Sequence, residues 1–425
     1  MKITVGIDEQ EKANLFLRAL WAELRKSFTK FSWSYFPSKD GKQNKVFFGF
    51  LNLGLDSTID ISINYKKKGG IKEIFFDGVE VNSVEGLKIS KAVKNALQIY
   101  LNPEGYYCIS VFVKSLYFPI SFYKGTFFKV IPMNETEFEL TLMIYAYDEI
   151  DTKSISKIIF NNVIDILSVE TNQCFWLINN KRDNLRTEEK ENQFSNEDWF
   201  DDYPIIDSKF LISEKTFILI DSFLSEIIHQ QKLKKFLNAC MLFHTARKYE
   251  AQIRDYIKTS DLKEQGTEYS ESFKSEVVVS SMEVGIRDSN LFAANIVGAK
   301  QSEISMILYI SSLEVLSILS LEETDNKQCR ECGQKVYSIS KRVSDFVENH
   351  NGKHIAKFIK EYYSLRSKYV HEGQHLSLEN YSGISLPQLD SASSTGCAFN
   401  NAPPLTNLQE FIGNSFRKVI NLACW

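Results

Sequence analysis

The chain has 425 residues, of which 44% are hydrophobic and 24% charged, with a formal net charge of −4. This composition supports packed cores and excludes wholesale disorder, and the length accommodates two or three domains of about 150 residues each. The charge balance excludes nucleic-acid binding through a whole-protein basic field, so any such site must be a local patch.

In chain order, 9–28 reads as a helix, with Leu15, Leu20, Trp21 and Leu24 near helical spacing. Aromatic and β-branched runs at 45–53, 57–65 and 71–76 read as strands, and the lysines and glycines at 66–70 as a turn between two of them. A helix is expected at 85–101, strands at 106–114, 117–123, 125–132 and 137–147, and another helix at 153–167. Consecutive strands joined by short turns imply an antiparallel sheet with helices, an α+β domain over 1–180. From Glu188 to Asp202 there are seven acids and one lysine, which predicts an exposed acidic linker over 181–204. The remainder, 205–425, reads as all-α. It has one long helix or two within 217–257, then helices at 302–323, 338–348, 353–370 and 405–423, with irregular segments at 258–290 and 376–404.

Seven scattered cysteines fit a reducing compartment better than a disulfide framework. The start, Met1-Lys-Ile-Thr-Val, leads directly into charged residues, unlike a signal peptide. The most apolar long stretch, 306–321, is too short for a bilayer and contains Glu314. The expectation is a cytoplasmic protein with no membrane partner.

All six histidines lie after residue 228, so histidine chemistry would belong to the C-terminal part. On a helix over 353–371, Ile355, Phe358, Ile359, Tyr362, Leu365 and Tyr369 form one apolar stripe, and Arg366 falls inside it. A guanidinium on a buried stripe requires a carboxylate, a polar cavity or a subunit interface. Glu314, at the edge of the apolar stripe of 302–323, is the expected carboxylate. His371 falls about 140° from Arg366 on an ideal helix. The two converge only if the helix ends near His371, with Gly373 as its cap, or if they meet across a two-fold axis.

The segment Ser364-Leu-Arg-Ser-Lys-Tyr-Val-His-Glu-Gly resembles the last helix of HEPN domains, in particular the Apea-like branch of prokaryotic defence proteins. Ser312-Leu-Glu-Val-Leu and Tyr337-Ser-Ile-Ser-Lys-Arg-Val resemble its earlier helices, in the same order, and the likeness covers about 215–425. It implies a helical bundle and a metal-independent endoribonuclease with an Arg-x4-His site, formed by Arg366 and His371 and composite in a homodimer. It also implies a role as an antiphage, abortive-infection or toxin effector. Ser367 stands where many members carry Asn, Asp or His. The family includes non-cleaving members that bind nucleotides or RNA as adaptors. With RNA as partner, His371 would act as general base or acid, Arg366 would stabilise phosphate charge, and Glu314 would support Arg366. From Lys327 to His371 the net charge is +6, from ten basic and four acidic residues. Lys341, Arg342 and Lys368 within that stretch are the expected RNA contacts. The N-terminal domain would sense a trigger or bind a partner protein.

Two metal patterns compete. His371-Glu-Gly-Gln-His375 matches the H-E-x-x-H of zinc peptidases, but Gly373 weakens the continuous helix that this chemistry needs. Cys329 and Cys332 with His350 and His354 have the order of a C2H2 structural zinc site. His229 and His244 read as satisfied helix residues.

Overall fold

The computed structural model describes residues 1–28, 30–37, 44–54, 57–103, 105–178, 191–196, 199–200, 202–259, 301, 303–320, 339–373 and 405–422. These form two compact units. One comprises Met1–Ile109, Leu142–Ile159 and Leu224–Ile228, the other Ser110–Thr141, Phe160–Phe223 and His229–Trp425.

The first unit is built on a five-stranded antiparallel sheet in the order β1-β5-β4-β3-β2. Its strands are β1 (Lys2–Glu9), β2 (Lys30–Pro37), β3 (Lys45–Gly54), β4 (Ser57–Tyr65) and β5 (Gly69–Phe76). The strands β1 and β2 add to the three expected from sequence. They form the two edges of the sheet, where pairing to a single neighbour tolerates the Gly6 and Pro37 that obscure their alternation. At the β4–β5 turn, Gly69 has φ +84°, and a Cβ on Gly70 would lie 2.3 Å from the Ile7 carbonyl oxygen of β1, so glycine permits that pairing.

Helices α1 (Gln10–Arg25) and α2 (Val84–Ile99) share one core with this sheet. Phe16, Leu20, Trp21 and Leu24 of α1 meet Leu51, Ile61, Ile74 and Phe76 of the strands and Ile89 and Val93 of α2. Trp21 stacks on Phe48 with 5.4 Å between centroids. Ser83 caps α2 by accepting from the Gly86 amide at 3.0 Å. Arg18 of α1 donates two bonds of 2.8 Å to Asp151 at the start of α3 (Glu149–Thr171), and Arg25 pairs with Asp148 in the same way. Such forked guanidinium–carboxylate pairs fix orientation as well as charge.

A second antiparallel sheet runs in the order β10-β6-β9-β8-β7. It consists of β6 (Tyr106–Ser115), β7 (Tyr123–Lys124), β8 (Phe128–Pro132), β9 (Glu137–Tyr145) and β10 (Phe175–Ile178). The strand expected at 117–123 is reduced to β7 and an isolated bridge from Ile120 to Phe210, because Pro119 has no amide to donate. A short hairpin, β11 (Ile205–Ile206) with β12 (Lys209–Phe210), follows.

Within the acidic segment expected as an exposed linker, Glu191, Gln193, Phe194, Asn196 and Asp202 are exposed, while Trp199 and Tyr203 are held. Trp199 is 4% exposed, Tyr123 donates to the Gln193 carbonyl at 2.6 Å, and Tyr203 donates to Glu410. The aromatic residues spaced among the acids account for this, since an indole and a phenol bury surface that a purely charged segment lacks.

The C-terminal half is helical. It contains α4 (Glu214–Ser225), α5 (Gln231–Thr259), α6 (303–316) with a 3-10 turn Ser317–Ser320, α7 (Ile339–Asn351), α8 (Lys353–Glu372) and α9 (Leu405–Leu422). The span 217–257 is thus two helices. The irregular stretch expected at 258–290, beyond residue 259, and the loop at 376–404 lie outside the described residues. Among the described residues no helix is long and apolar enough to cross a membrane.

His244 of α5 is fully buried, with Nδ1 2.6 Å from Asp165 of α3 and Nε2 accepting the Phe175 amide at 3.0 Å. Accepting at Nε2 requires the neutral tautomer with its proton on Nδ1, shared with Asp165. Burial holds the His244 pKa below its ordinary value, the Asp165 carboxylate opposing that shift. The unfolded chain therefore takes up a proton near pH 6.5 that the folded chain does not. Stability is full above that pH and falls by up to about 1.4 kcal/mol per unit as pH drops below it. Denaturant midpoints between pH 7.5 and 5 are expected to decline, and a His244→Gln variant, less stable at pH 7.5, to decline less. Parallel declines in the two proteins would exclude His244 as a source.

Candidate active site in the C-terminal helices

The stripe of α8 is buried at its centre and open at its margins. Ala356, Ile359 and Tyr362 are buried, Phe358 is exposed, and Leu365 and Tyr369 are partly covered. Arg366 keeps 20% side-chain exposure and donates from Nη2 to Oε2 of Glu314 at 3.2 Å, and Glu314 is itself 17% exposed. The carboxylate expected from the edge of the α6 stripe is the one that Arg366 meets.

Two further residues complete the cluster. Tyr363, one turn before Arg366, has its ring centroid 6.0 Å from the guanidinium carbon. Burial first, then the Glu314 carboxylate, raises the Tyr363 pKa above its ordinary value. Arg342 of α7 donates from Nε to Ser317 at 3.0 Å and from Nη2 to the Glu314 carbonyl at 3.4 Å. It therefore caps the end of α6, where helix carbonyls lack partners within the helix. One guanidinium holds the Glu314 side chain and a second its backbone. Arg342, expected as an RNA contact, is committed to this end-cap, whereas Lys341 and Lys368 are exposed.

His371 is exposed in the last turn of α8. The helix ends at Gly373, whose φ of +66° is the left-handed cap and whose amide donates back to Lys368 and Tyr369 carbonyls. The cap is where the sequence puts it, but it follows His371, so both residues lie within regular helix and keep their separation of about 140°. Arg366 and His371 are not brought together within one chain by a break in α8.

The same cap bears on the peptidase pattern. The helix stops inside His371-Glu-Gly-Gln-His375, while a zincin needs it to run through both histidines. His375 lies outside the described residues. For the structural zinc pattern, Cys329 and Cys332 also lie outside them. His350 on α7 has Nδ1 2.8 Å from the Phe346 carbonyl and its ring 4.3 Å from that of Phe346, and His354 is exposed on α8.

Sequence reasoning missed a buried polar network among the C-terminal helices. Arg247 of α5, 2% exposed, donates to the Asn172 carbonyl at 2.9 Å, to Glu250 at 2.5 Å and to Gln409 of α9. Tyr309 of α6 donates to Glu250 at 2.8 Å. Burial works against the charge on Arg247, but Glu250 and Tyr309 leave its pKa above the ordinary value. Arg417 of α9 lies 3.5 Å over the Trp199 ring and donates to Asn172 at 3.1 Å, and burial lowers its pKa to about 10. The Arg-x-x-Glu spacing of 247 and 250 was a visible signal, but that spacing is also common on solvated helix faces.

Comparison of the chain with protein-family models, with curated proteins and with solved structures finds no match.

Proposed function

We propose that this chain is a metal-independent endoribonuclease, whose C-terminal helices form a HEPN-like bundle and whose active site is composite in a homodimer. The observation that carries the reading is the Arg366–Glu314 pair: a guanidinium held on a partly buried helix face by a carboxylate, on the helix that also bears His371. In this reading Arg366 faces a phosphate and balances the charge that grows on it. His371 of the second subunit takes the proton of the ribose 2′-hydroxyl. The 2′-oxygen bonds to phosphorus, the bond from phosphorus to the 5′-oxygen breaks, and the departing oxygen takes up a proton. The products are a 2′,3′-cyclic phosphate and a 5′-hydroxyl. Requirement for a 2′-hydroxyl selects RNA over DNA. Glu314 is a positioning residue for Arg366, and Lys341 and Lys368 contact flanking phosphates. The organismal role would be that of an antiphage or toxin effector, with the N-terminal unit sensing a trigger. These last assignments rest on the resemblance of 364–373 to the Apea-like branch.

One observation favours a second reading, a non-cleaving adaptor that binds nucleotide or RNA. Within one chain Arg366 and His371 leave α8 in divergent directions. Cleavage of single-stranded RNA in EDTA by the wild type and by His371→Ala separates the readings. The nuclease is expected to lose cleavage by at least about 100-fold in the variant. Binding without cleavage, surviving in His371→Ala, would put the adaptor first.

A further inference from the structure

In the proposed reaction the departing 5′-oxygen must gain a proton, while His371 of the second subunit takes one from the 2′-hydroxyl. The attacking and leaving oxygens lie on opposite sides of phosphorus, roughly in line. The acid therefore comes from the subunit that presents Arg366. Among the described groups around Arg366, the guanidiniums of Arg366 and Arg342 do not give up protons. Glu314 is an ion-paired carboxylate, an acceptor only. The Ser317 hydroxyl is an alcohol, no more acidic than the leaving group. Tyr363 differs. It is half-buried on α8, one turn before Arg366, with its ring centroid 6.0 Å from the guanidinium carbon. On the helix it lies about 60° from Arg366, on the side toward His371, and about 4.5 Å along the axis. Its hydroxyl sits where the Glu314 carboxylate and the Arg366 and Arg342 guanidiniums all act on it. A phenol keeps its proton at neutral pH yet is far more acidic than a ribose hydroxyl, so transfer to an alkoxide is downhill.

We propose that Tyr363 is the general acid of this site, donating its proton to the departing 5′-oxygen. The inference rests on the nuclease reading of Arg366 and His371. As the bond from phosphorus to the 5′-oxygen breaks, its electron pair stays on that oxygen, which takes the Tyr363 proton. Arg366 and Arg342 favour the phenolate left behind. Water then returns a proton to Tyr363 while the His371 imidazolium gives one up, so the site is restored.

The test compares two 2′-O-methyl oligonucleotides that carry one ribonucleotide at a linkage the wild type cuts. In one the bridging 5′ atom is oxygen; in the other it is sulfur, which departs as a thiolate and needs no proton. Wild type, Tyr363→Phe and His371→Ala are assayed in EDTA, with thermal melting and RNA anisotropy as controls of fold and binding. Tyr363→Phe is expected to cut the oxygen linkage at least about 100-fold more slowly, and the sulfur linkage within about threefold of wild type. His371→Ala is expected to be slow on both, because both still need the base. Tyr363→Phe as fast as wild type on the oxygen linkage would overturn the proposal. Equal slowing on the two linkages would also overturn it, since a merely structural tyrosine affects both alike. A wild type that cuts no RNA would overturn the nuclease reading itself, and the role of Tyr363 with it.

Discussion

On the proposed composite-site reading, mixing Arg366→Ala with His371→Ala is expected to restore about one quarter of wild-type RNA cleavage, each variant being inactive alone. The expectation follows from the geometry of α8. Arg366 and His371 occupy one regular helix and diverge on it by about 140°, so a site that uses both takes one from each subunit across a two-fold axis. Each variant alone lacks a group needed at both sites, and its activity should fall by about 10²–10⁴-fold. In a mixed dimer one site lacks both groups and the other is intact. Random exchange makes half the dimers mixed, each with one of two sites working, which gives about a quarter. A within-chain site predicts no recovery, because every chain then carries one defect. The measurement is cleavage in EDTA after the variants are mixed under conditions that allow subunits to exchange. Glu314→Gln should reduce cleavage less than Arg366→Ala, since the amide still accepts a bond from the guanidinium.

Arg247→Ala should be the most destabilising single substitution among the C-terminal helices. The guanidinium is buried and satisfies Glu250, Gln409 and the Asn172 carbonyl at once. Its removal takes the guanidinium away from the buried Glu250 carboxylate, which keeps its bond from the Tyr309 hydroxyl. Breaking one side of a buried pair costs about 3–5 kcal/mol, a large part of the total stability of a typical domain. Replacing both charges, as Arg247→Met with Glu250→Leu, should recover most of that loss, because the uncompensated charge rather than the missing attraction dominates the cost. Urea melts of wild type, single and double variants would decide this. A single variant within 1 kcal/mol of wild type would show that water or rearrangement satisfies Glu250.

The contrast between these two sites marks what could be read in advance. Arg366 was conspicuous because a local period of 3.6 residues places it on an apolar stripe, and the periods of α6 and α8 together nominated Glu314. The αL cap at Gly373 was legible for the same reason, since glycine past the last periodic residue is a local signal. Arg342 was legible as a basic residue but not as the end-cap of α6, which depends on where α7 lies against Ser317.

Antiparallel strands in the N-terminal half, a helical C-terminal half and most element positions were legible in the residues alone, because each rests on periodicity and turn chemistry within a few residues. The Arg366–Glu314 pairing, 52 residues apart in the chain, was nominated by two helix periods and made by the packing of α6 against α8. Packing across the fold set the edge strands β1 and β2, the burial of Trp199 within an acidic segment, and the network around Arg247. Its partners Asn172 and Gln409 lie 75 and 162 residues away in the chain. No local pattern encodes such partners. Buried polar groups must find hydrogen bonds wherever packing brings a donor and an acceptor together, and that choice is made by the whole fold.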